Sequence, residues 1–437
     1  MTKARWHHFA LAVMLAWTRP ASASHVPMAQ PADVGFSASG LAHIDKFYSE
    51  EVRRGDLAGI VTLISRHGRI VHFNAIGYSD IERKQKMETD TIFRLYSMTK
   101  PIASAALMML FQEGRFEMND PLSKYIPEFA NLRVLRTPDS PFDETVPVIH
   151  PPTVQDALRH TAGFSHGLSM DSYDARYEEA NVLGTDVSLT EMMAKLAKIP
   201  LRYQPGSRWA YSVGPDVVAR LVEILSGLPF DQFLQERMFR PLRMDDTGFW
   251  VPAAKGKRLA TVHWLRNGKL TPLDSDHGHP TSTTMRTLVE PWSVNSYTSE
   301  HKRKGGSFGL LSTAMDYWRF AEMIRNGGEL DGTRVLSPQV VKYMVRDQLG
   351  SIPIDQPGAR PGGLGFGLGF GIMSDPAAAG LMESEGAVFW AGAANTFFWI
   401  DPKEDLVVVA MTQHMGVPAA DALWSQLPTL VYSALLH

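Results

Sequence analysis

The 437-residue chain contains no cysteine. That absence excludes disulfides, thiolate metal sites, a cysteine nucleophile and a lipidated N-terminal cysteine. A nucleophile must then be oxygen, nitrogen or a metal-bound water. An excess of positive charge is also missing: 43 Lys+Arg stand against 46 Asp+Glu, a formal net charge of −3. No basic field is available to gather a phosphate backbone, so no nucleic-acid partner is expected. No apolar run approaches the ~20 residues of a spanning helix. The N-terminal run, Phe9 to Trp17, falls well short, and Ala103 to Phe111 stops at Gln112-Glu113-Gly114. There is no internal repeat and no phosphate loop of the Gly-Lys-Ser/Thr type. At about 150 residues per domain the length implies two or three compact units with ample core.

What is present begins with a leader. Lys3, Arg5 and His7-His8 precede the Phe9 to Trp17 run, and Ala21-Ser22-Ala23 offers small residues for cleavage. This pattern predicts a secretory signal over residues 1–23. Its removal takes Lys3, Arg5 and Arg19 and no anion, moving the charge from −3 to −6. The mature chain is expected to be exported, periplasmic or secreted, with no membrane anchor.

Hydrophobic spacing then places the elements. Leu41 to Arg54 has helical spacing, with Leu41, Ile44, Phe47, Tyr48 and Val52 near one face. Gly59 to Ile64 and Arg69 to Phe73 flank His67-Gly68 as a hairpin. Thr396 to Ile400 and Leu406 to Met411 flank Asp401 to Asp405 as another, and a last apolar helix is expected from Ala419 to Leu436. Helical patterns at Thr153 to His160, Leu189 to Ala197, Pro215 to Ser226 and Phe230 to Phe239 lie between these β-rich ends. Long polar or proline-rich connections run over Arg133 to Pro152 and Pro272 to Lys304. The order predicts an α/β fold of the α+β type: an antiparallel sheet flanked by helices, built from both chain ends, with an inserted mainly helical domain. The expected division is 30–114 with 286–437 for the sheet domain and 115–285 for the insertion. Gly363 to Gly371 alternates glycine with Leu and Phe at period two. It lacks the first, third and sixth glycines of a dinucleotide loop, and predicts one strand with a bare face.

Two serine patterns each occur twice. Gly-x-Ser-x-Gly appears at Gly163 to Gly167 and at Gly305 to Gly309. A nucleophile elbow needs an apolar strand before the serine and a helix after it. Ser165 follows a helix end and Ser307 follows the polar run Glu300 to Lys304, so both are expected to be glycine-rich turns. Ser-x-x-Lys appears at Ser97-Met98-Thr99-Lys100 and at Ser299-Glu300-His301-Lys302. A chain of this composition yields about one such pattern by chance, so context must decide. Ser299 sits in a polar connection. Ser97 follows the strand-like Thr91 to Leu95 and opens a helix whose Pro101 fits only a first turn. Positions i and i+3 share a helix face, which holds Lys100 beside the Ser97 hydroxyl. Burial and the positive end of the helix dipole both disfavour an ammonium, favouring a neutral lysine able to accept a proton. A helix cap and a solvated lysine would show the same four residues.

Further motifs separate the two. Ser97-Met98-Thr99-Lys100, Tyr211-Ser212-Val213 and Trp390-Ala391-Gly392 resemble, in order and wide spacing, the three motifs of the serine β-lactamase and penicillin-binding protein superfamily. The resemblance is closest to its family VIII carboxylesterases. His160-Thr161-Ala162-Gly163, Gln204-Pro205-Gly206 and Gly305 to Leu310 add to it, so it spans about Ser97 to Met411. The resemblance implies that Ser97 is the acylated nucleophile and that Lys100 takes its proton together with Tyr211. A tyrosine can be a base only where cations stabilise its phenolate, since a free phenol titrates near ~10. It further implies an oxyanion hole from the N–H groups of Ser97 and Ala393, and a Gly392 that lets the strand approach the substrate.

Two departures bear on substrate. β-Lactamases usually begin the third motif with a lysine that holds a carboxylate, where this chain has Trp390. The usual asparagine of the second motif is Val213. Losing a charge-assisted contact costs on the order of 1.5–3 kcal/mol, so neutral apolar acyl groups are favoured. The expectation is a serine hydrolase of small, neutral, short-chain esters, with no metal, no organic cofactor and some residual β-lactam turnover. A β-lactamase, D-amino-acid peptidase or transacylase on the same scaffold is the alternative, and a silent ligand-binding homologue a further one. Asp274-Ser275-Asp276-His277-Gly278-His279 collects potential metal ligands, but in a polar loop without a His-Glu-x-x-His helix.

Overall fold

The computed structural model describes residues 28–167, 171–266, 268–273, 297–354, 362–415 and 422–437. The expected leader, the Asp274 to His279 group and the expected start of the last helix lie outside the described residues.

Eight strands form one sheet: β1 (Gly59–Arg66), β2 (Arg69–Asp80), β3 (Gln85–Lys86), β4 (Leu364–Phe366), β5 (Gly371–Met373), β6 (Val388–Ala391), β7 (Phe397–Asp401) and β8 (Leu406–Met411). Their order is β4-β5-β6-β7-β8-β1-β2-β3, all antiparallel, so both predicted hairpins meet at the centre where β8 pairs with β1. Alternation sorts the core. Val407, Val409 and Met411 face one apolar cluster, while Leu406, Val408 and Ala410 face another. Val61 and Leu63 against Ile60 and Ile64 repeat the division on β1. Both faces must therefore be covered.

On one face lie α1 (Ala38–Arg54), through Leu41, Ile44 and Tyr48, and the C-terminal helix, through Leu427 and Val431. The Ser37 hydroxyl accepts the Gly40 N–H at the start of α1, and Gly55 ends it in the left-handed region. The apolar cluster on the other face includes α2 (Thr99–Gln112), α3 (Gly214–Ser226) and α4 (Ala314–Arg325), with α4 lying against β1, β7 and β8 and α3 packed on α2. In α2 every residue from Thr99 to Leu110 is buried. Burying each of Ile102, Leu107 and Met108 stabilises the fold by roughly 1.5–3 kcal/mol. That anchoring fixes the segment that carries Ser97 and Lys100.

Some elements differ from the sequence reading. Gly363 to Gly371 is not one strand: β4 and β5 form a hairpin in which the Gly367 N–H bonds the Phe370 carbonyl (2.8 Å). Gly367 and Gly369, in the turn between the two strands, lie against Met344 and Ser104, so the bare backbone serves close packing in a turn and not along a strand face. The connection after Leu132 contains a hairpin of Arg133–Leu135 with Thr145–Pro147. The pattern from Phe230 breaks into α-helix to Leu234 and a π-helical turn over Gln235–Phe239. The final α-helix is Leu427–Ser433, with Pro428 in its first turn and a π-helical turn, Ala422–Gln426, before it. The helix α4 went unpredicted because Asp316, Arg319 and Glu322 are buried among its apolar residues and interrupt the stripe.

Candidate active site

Ser97 sits in the turn Tyr96–Met98 that leads into α2. Tyr96 holds φ +46°, uncommon for a bulky residue, and Phe93–Arg94 before it pairs with Leu311–Ser312. Pro101 falls in the first turn of α2, where no intrahelical N–H is lost. Lys100, 2% exposed, places Nζ 3.2 Å from Ser97 Oγ and 2.8 Å from the Ser307 carbonyl. Burial pushes the amine down to about 7, Asp216 opposing and Arg303 adding to the effect. A shift of that size disfavours the ammonium by roughly 5 kcal/mol. A substantial fraction of Lys100 is then neutral at neutral pH.

Tyr211 arrives from the loop before α3, its hydroxyl 2.7 Å from Ser97 Oγ and its ring centroid 4.4 Å from Lys100 Nζ. Burial pushes its phenol above the ordinary value, and the hydrogen bond to Ser97 opposes only part of that. A resting phenolate is thus not what the surroundings favour. The proton stays on Tyr211 and is donated to Ser97. Counting donors then orders the site. Ser97 Oγ accepts from Tyr211 and from Lys100 Nζ, which also donates an N–H to the Ser307 carbonyl; once the amine is neutral, its lone pair can turn to Ser97 Oγ and take the hydroxyl proton. This arrangement can deliver a serine alkoxide to an electrophile while the lysine takes the proton.

The third motif closes the site from the sheet. Trp390 pairs with Phe398 on β7 and sets its ring 5.8 Å from Tyr211 and 5.3 Å from Phe366, which in turn lies 5.3 Å from Trp209. The surroundings of Ser97 on this side are therefore aromatic. A Cβ on Gly392 would stand 2.2 Å from Thr396 Oγ1 and 2.3 Å from the Leu95 carbonyl. The crowding thus comes from the chain just before Ser97, a more immediate reason for glycine than approach of a substrate. This contact brings the end of β6 beside the Ser97 turn. Ala393 is exposed, and its N–H makes no backbone hydrogen bond among the described residues. The Ser97 N–H lies in a first turn, where intrahelical partners are lacking. Val213 is buried in the core, its N–H held by the Ser165 carbonyl (2.9 Å), so it offers a substrate nothing polar.

The structure brings together Ser97, Lys100, Tyr211, Trp390, Gly392 and Ala393, and adds Ser307, read from the sequence only as part of a glycine-rich turn, with other residues given no role there. Ser307 contributes its carbonyl, and its hydroxyl has no partner among the described residues. His160, inside a quoted motif, packs its ring 5.0 Å from Tyr211, and its Nδ1 accepts the Ser212 N–H (3.1 Å). Burial holds that imidazole well below its ordinary pKa, hence neutral. Asp216 and Arg303 form a buried ion pair (3.2 Å) behind Lys100. No local spacing could have joined residues 87 positions apart. A separate cavity of about 390 Å³, lined by Phe239, Thr247, Phe249 and Trp250 among others, includes none of the site residues.

Comparisons with known proteins bear on the family and the fold. A family model described as Beta-lactamase matches residues 44–430. Esterase EstB of Burkholderia gladioli is 30% identical over 391 residues, covering 86% of this chain and 91% of the esterase. Among solved structures, EstCE1, described as a hydrolase with promiscuous acyltransferase activity, superposes with a TM-score of 0.75 at 25% identity, covering 90% of this chain and 99% of its own. A family VIII carboxylesterase shares the fold at 19% identity, with a TM-score of 0.65 and coverage of 92% and 99%.

Proposed function

The chain belongs to the beta-lactamase family of serine hydrolases, and from that membership we propose that it is an exported carboxylesterase of short-chain, neutral esters. Ser97 Oγ attacks the ester carbonyl as its proton passes to Lys100. The N–H groups of Ser97 and Ala393 hold the oxyanion, and collapse expels the alcohol, protonated from the Lys100/Tyr211 pair. Water, deprotonated by the same pair, then releases the acid from Ser97. The observation that carries this reading is the position of Ser97 Oγ between Lys100 Nζ (3.2 Å) and Tyr211 OH (2.7 Å). The ester preference rests on Trp390 and Val213, which leave those two motif positions without a cation or an amide for a substrate carboxylate, and on the esterase among the relatives. Export rests on the sequence of residues 1–23.

Nitrophenyl acetate and butyrate compared with a chromogenic cephalosporin on purified protein test the preference. Ester kcat/KM should exceed cephalosporin turnover at least tenfold. Dominant cephalosporin turnover would instead favour the β-lactamase or D-amino-acid peptidase alternative. Transfer of the acyl group to an added alcohol is a second outcome of the same intermediate, supported by the acyltransferase activity in the description of EstCE1.

A further inference from the structure

Lys100 needs more than a low pKa to act on Ser97; its single lone pair must point at Oγ. A neutral amine has two N–H donors and one lone pair, so fixing one N–H restricts where the lone pair goes. The Ser307 carbonyl fixes it, 2.8 Å from Nζ. What fixes Ser307 is a buried arrangement remote in sequence. The Ser307 N–H donates to Asp216 Oδ1 (3.4 Å), the same oxygen that takes Arg303 Nη2 (3.2 Å). Arg303 Nη1 donates to the Leu183 carbonyl (2.7 Å), and its backbone N–H to that of Thr185 (3.1 Å). The turn itself is pressed onto the start of α3: a Cβ on Gly306 would lie 1.9 Å from the Pro215 carbonyl. Both charges are buried, Asp216 at 0% and Arg303 at 1% side-chain exposure. Desolvating such a pair is expensive, and an apolar pair of similar volume would often be as stable, so stability alone is a weak reason for it.

We propose that the buried Asp216–Arg303 pair is the positioning device of the Lys100 base: it clamps the Gly305 to Ser307 turn onto α3 so that the Ser307 carbonyl aims the lysine lone pair at Ser97. The pair also brackets the amine electrostatically, the carboxylate favouring the ammonium and the guanidinium opposing it. The other groups facing Lys100 are Ser97, Tyr211, His160 and His166, both imidazoles being pushed below their ordinary values, mainly by burial. Neither carries a charge at neutral pH to mask the pair. This inference rests on the proposed roles of Ser97 and Lys100.

The test uses the pH profile of kcat/KM in Asp216→Asn, Arg303→Met and the double variant, each normalised to the fraction labelled by a fluorophosphonate. Asp216→Asn keeps an oxygen for the Ser307 N–H but removes the anion, so the acidic limb should move down by about one pH unit. Arg303→Met removes the opposing cation, and the limb should move up by a similar amount. In the double variant the limb should return toward wild type while kcat falls at least fivefold with KM nearly unchanged, because Ser307 is no longer clamped. Should either single variant fail to fold, the double variant supplies the kcat and KM reading. Single-variant limbs that coincide with that of the wild type, or a double-variant loss confined to KM, overturn the positioning role. A wild-type enzyme that takes no label overturns the parent reading instead.

Discussion

Two segments each carry a serine and end at the same amine, yet they are built in opposite ways. The Ser97 turn presents a side chain. It is held from behind by α2, whose whole length to Leu110 is buried, and Lys100 comes with it at i+3. The Gly305 to Ser307 turn presents a backbone carbonyl. It is held by glycines pressed on α3 and by an ion pair, while the Ser307 hydroxyl has no partner among the described residues. Gly163 to Gly167 behaves like the latter: the Ser165 carbonyl takes the Val213 N–H and so steadies the loop that bears Tyr211. A serine-containing pattern therefore says little until one knows which of its atoms faces the site.

Substitutions can break that contrast. Ser97→Ala should lower ester kcat/KM by about 10⁴-fold or more, as loss of a nucleophile does elsewhere; a smaller loss in a steady-state assay would transfer the role to another serine. The next largest effect is that of pH. With Lys100 titrating at about 7, kcat/KM should fall about tenfold per unit below that value, near a hundredfold by pH 5. The sign follows from the amine: its protonated form is populated as pH falls and cannot accept the serine proton. Activity undiminished at pH 5 would rule out a neutral lysine. Gly306→Ala must shift the turn away from the Pro215 carbonyl, so kcat should drop by about tenfold with KM little changed, measured on folded protein. Ser307→Ala and Ser165→Ala leave both carbonyls in place and should stay within about threefold of wild type. Equal losses from Ser307→Ala and Gly306→Ala would mean that the hydroxyl, not the carbonyl, is used.

The sequence made legible what depends on local spacing. The hairpins around His67-Gly68 and Asp401 to Asp405, the helix after Ser97 and the i, i+3 pairing of Ser97 with Lys100 are all short-range consequences of period and punctuation. The resemblance supplied Tyr211, Trp390, Gly392 and Ala393, which no spacing would have gathered. Hidden were the relations between distant segments. Asp216 and Arg303 look like two surface charges in a linear chain, and α4 looks interrupted because its charges are buried and satisfied in three dimensions. The glycine run at Gly363 to Gly371 misled because its period fits a strand, whereas Gly369 at φ +90° and the Gly367 to Phe370 hydrogen bond turn it back as a hairpin packed against Met344 and Ser104. Gly392 was identified by motif, but its crowding against Leu95 needed the fold.

Every role proposed above depends on Ser97 being the one acylated residue. Intact-mass analysis and peptide mapping after brief exposure to a fluorophosphonate, at pH 5 and at pH 8, address it directly. One adduct per chain, on Ser97, forming far faster at pH 8, is the predicted result. An adduct on Ser165, Ser299 or Ser307, or one that persists in Ser97→Ala, would contradict it.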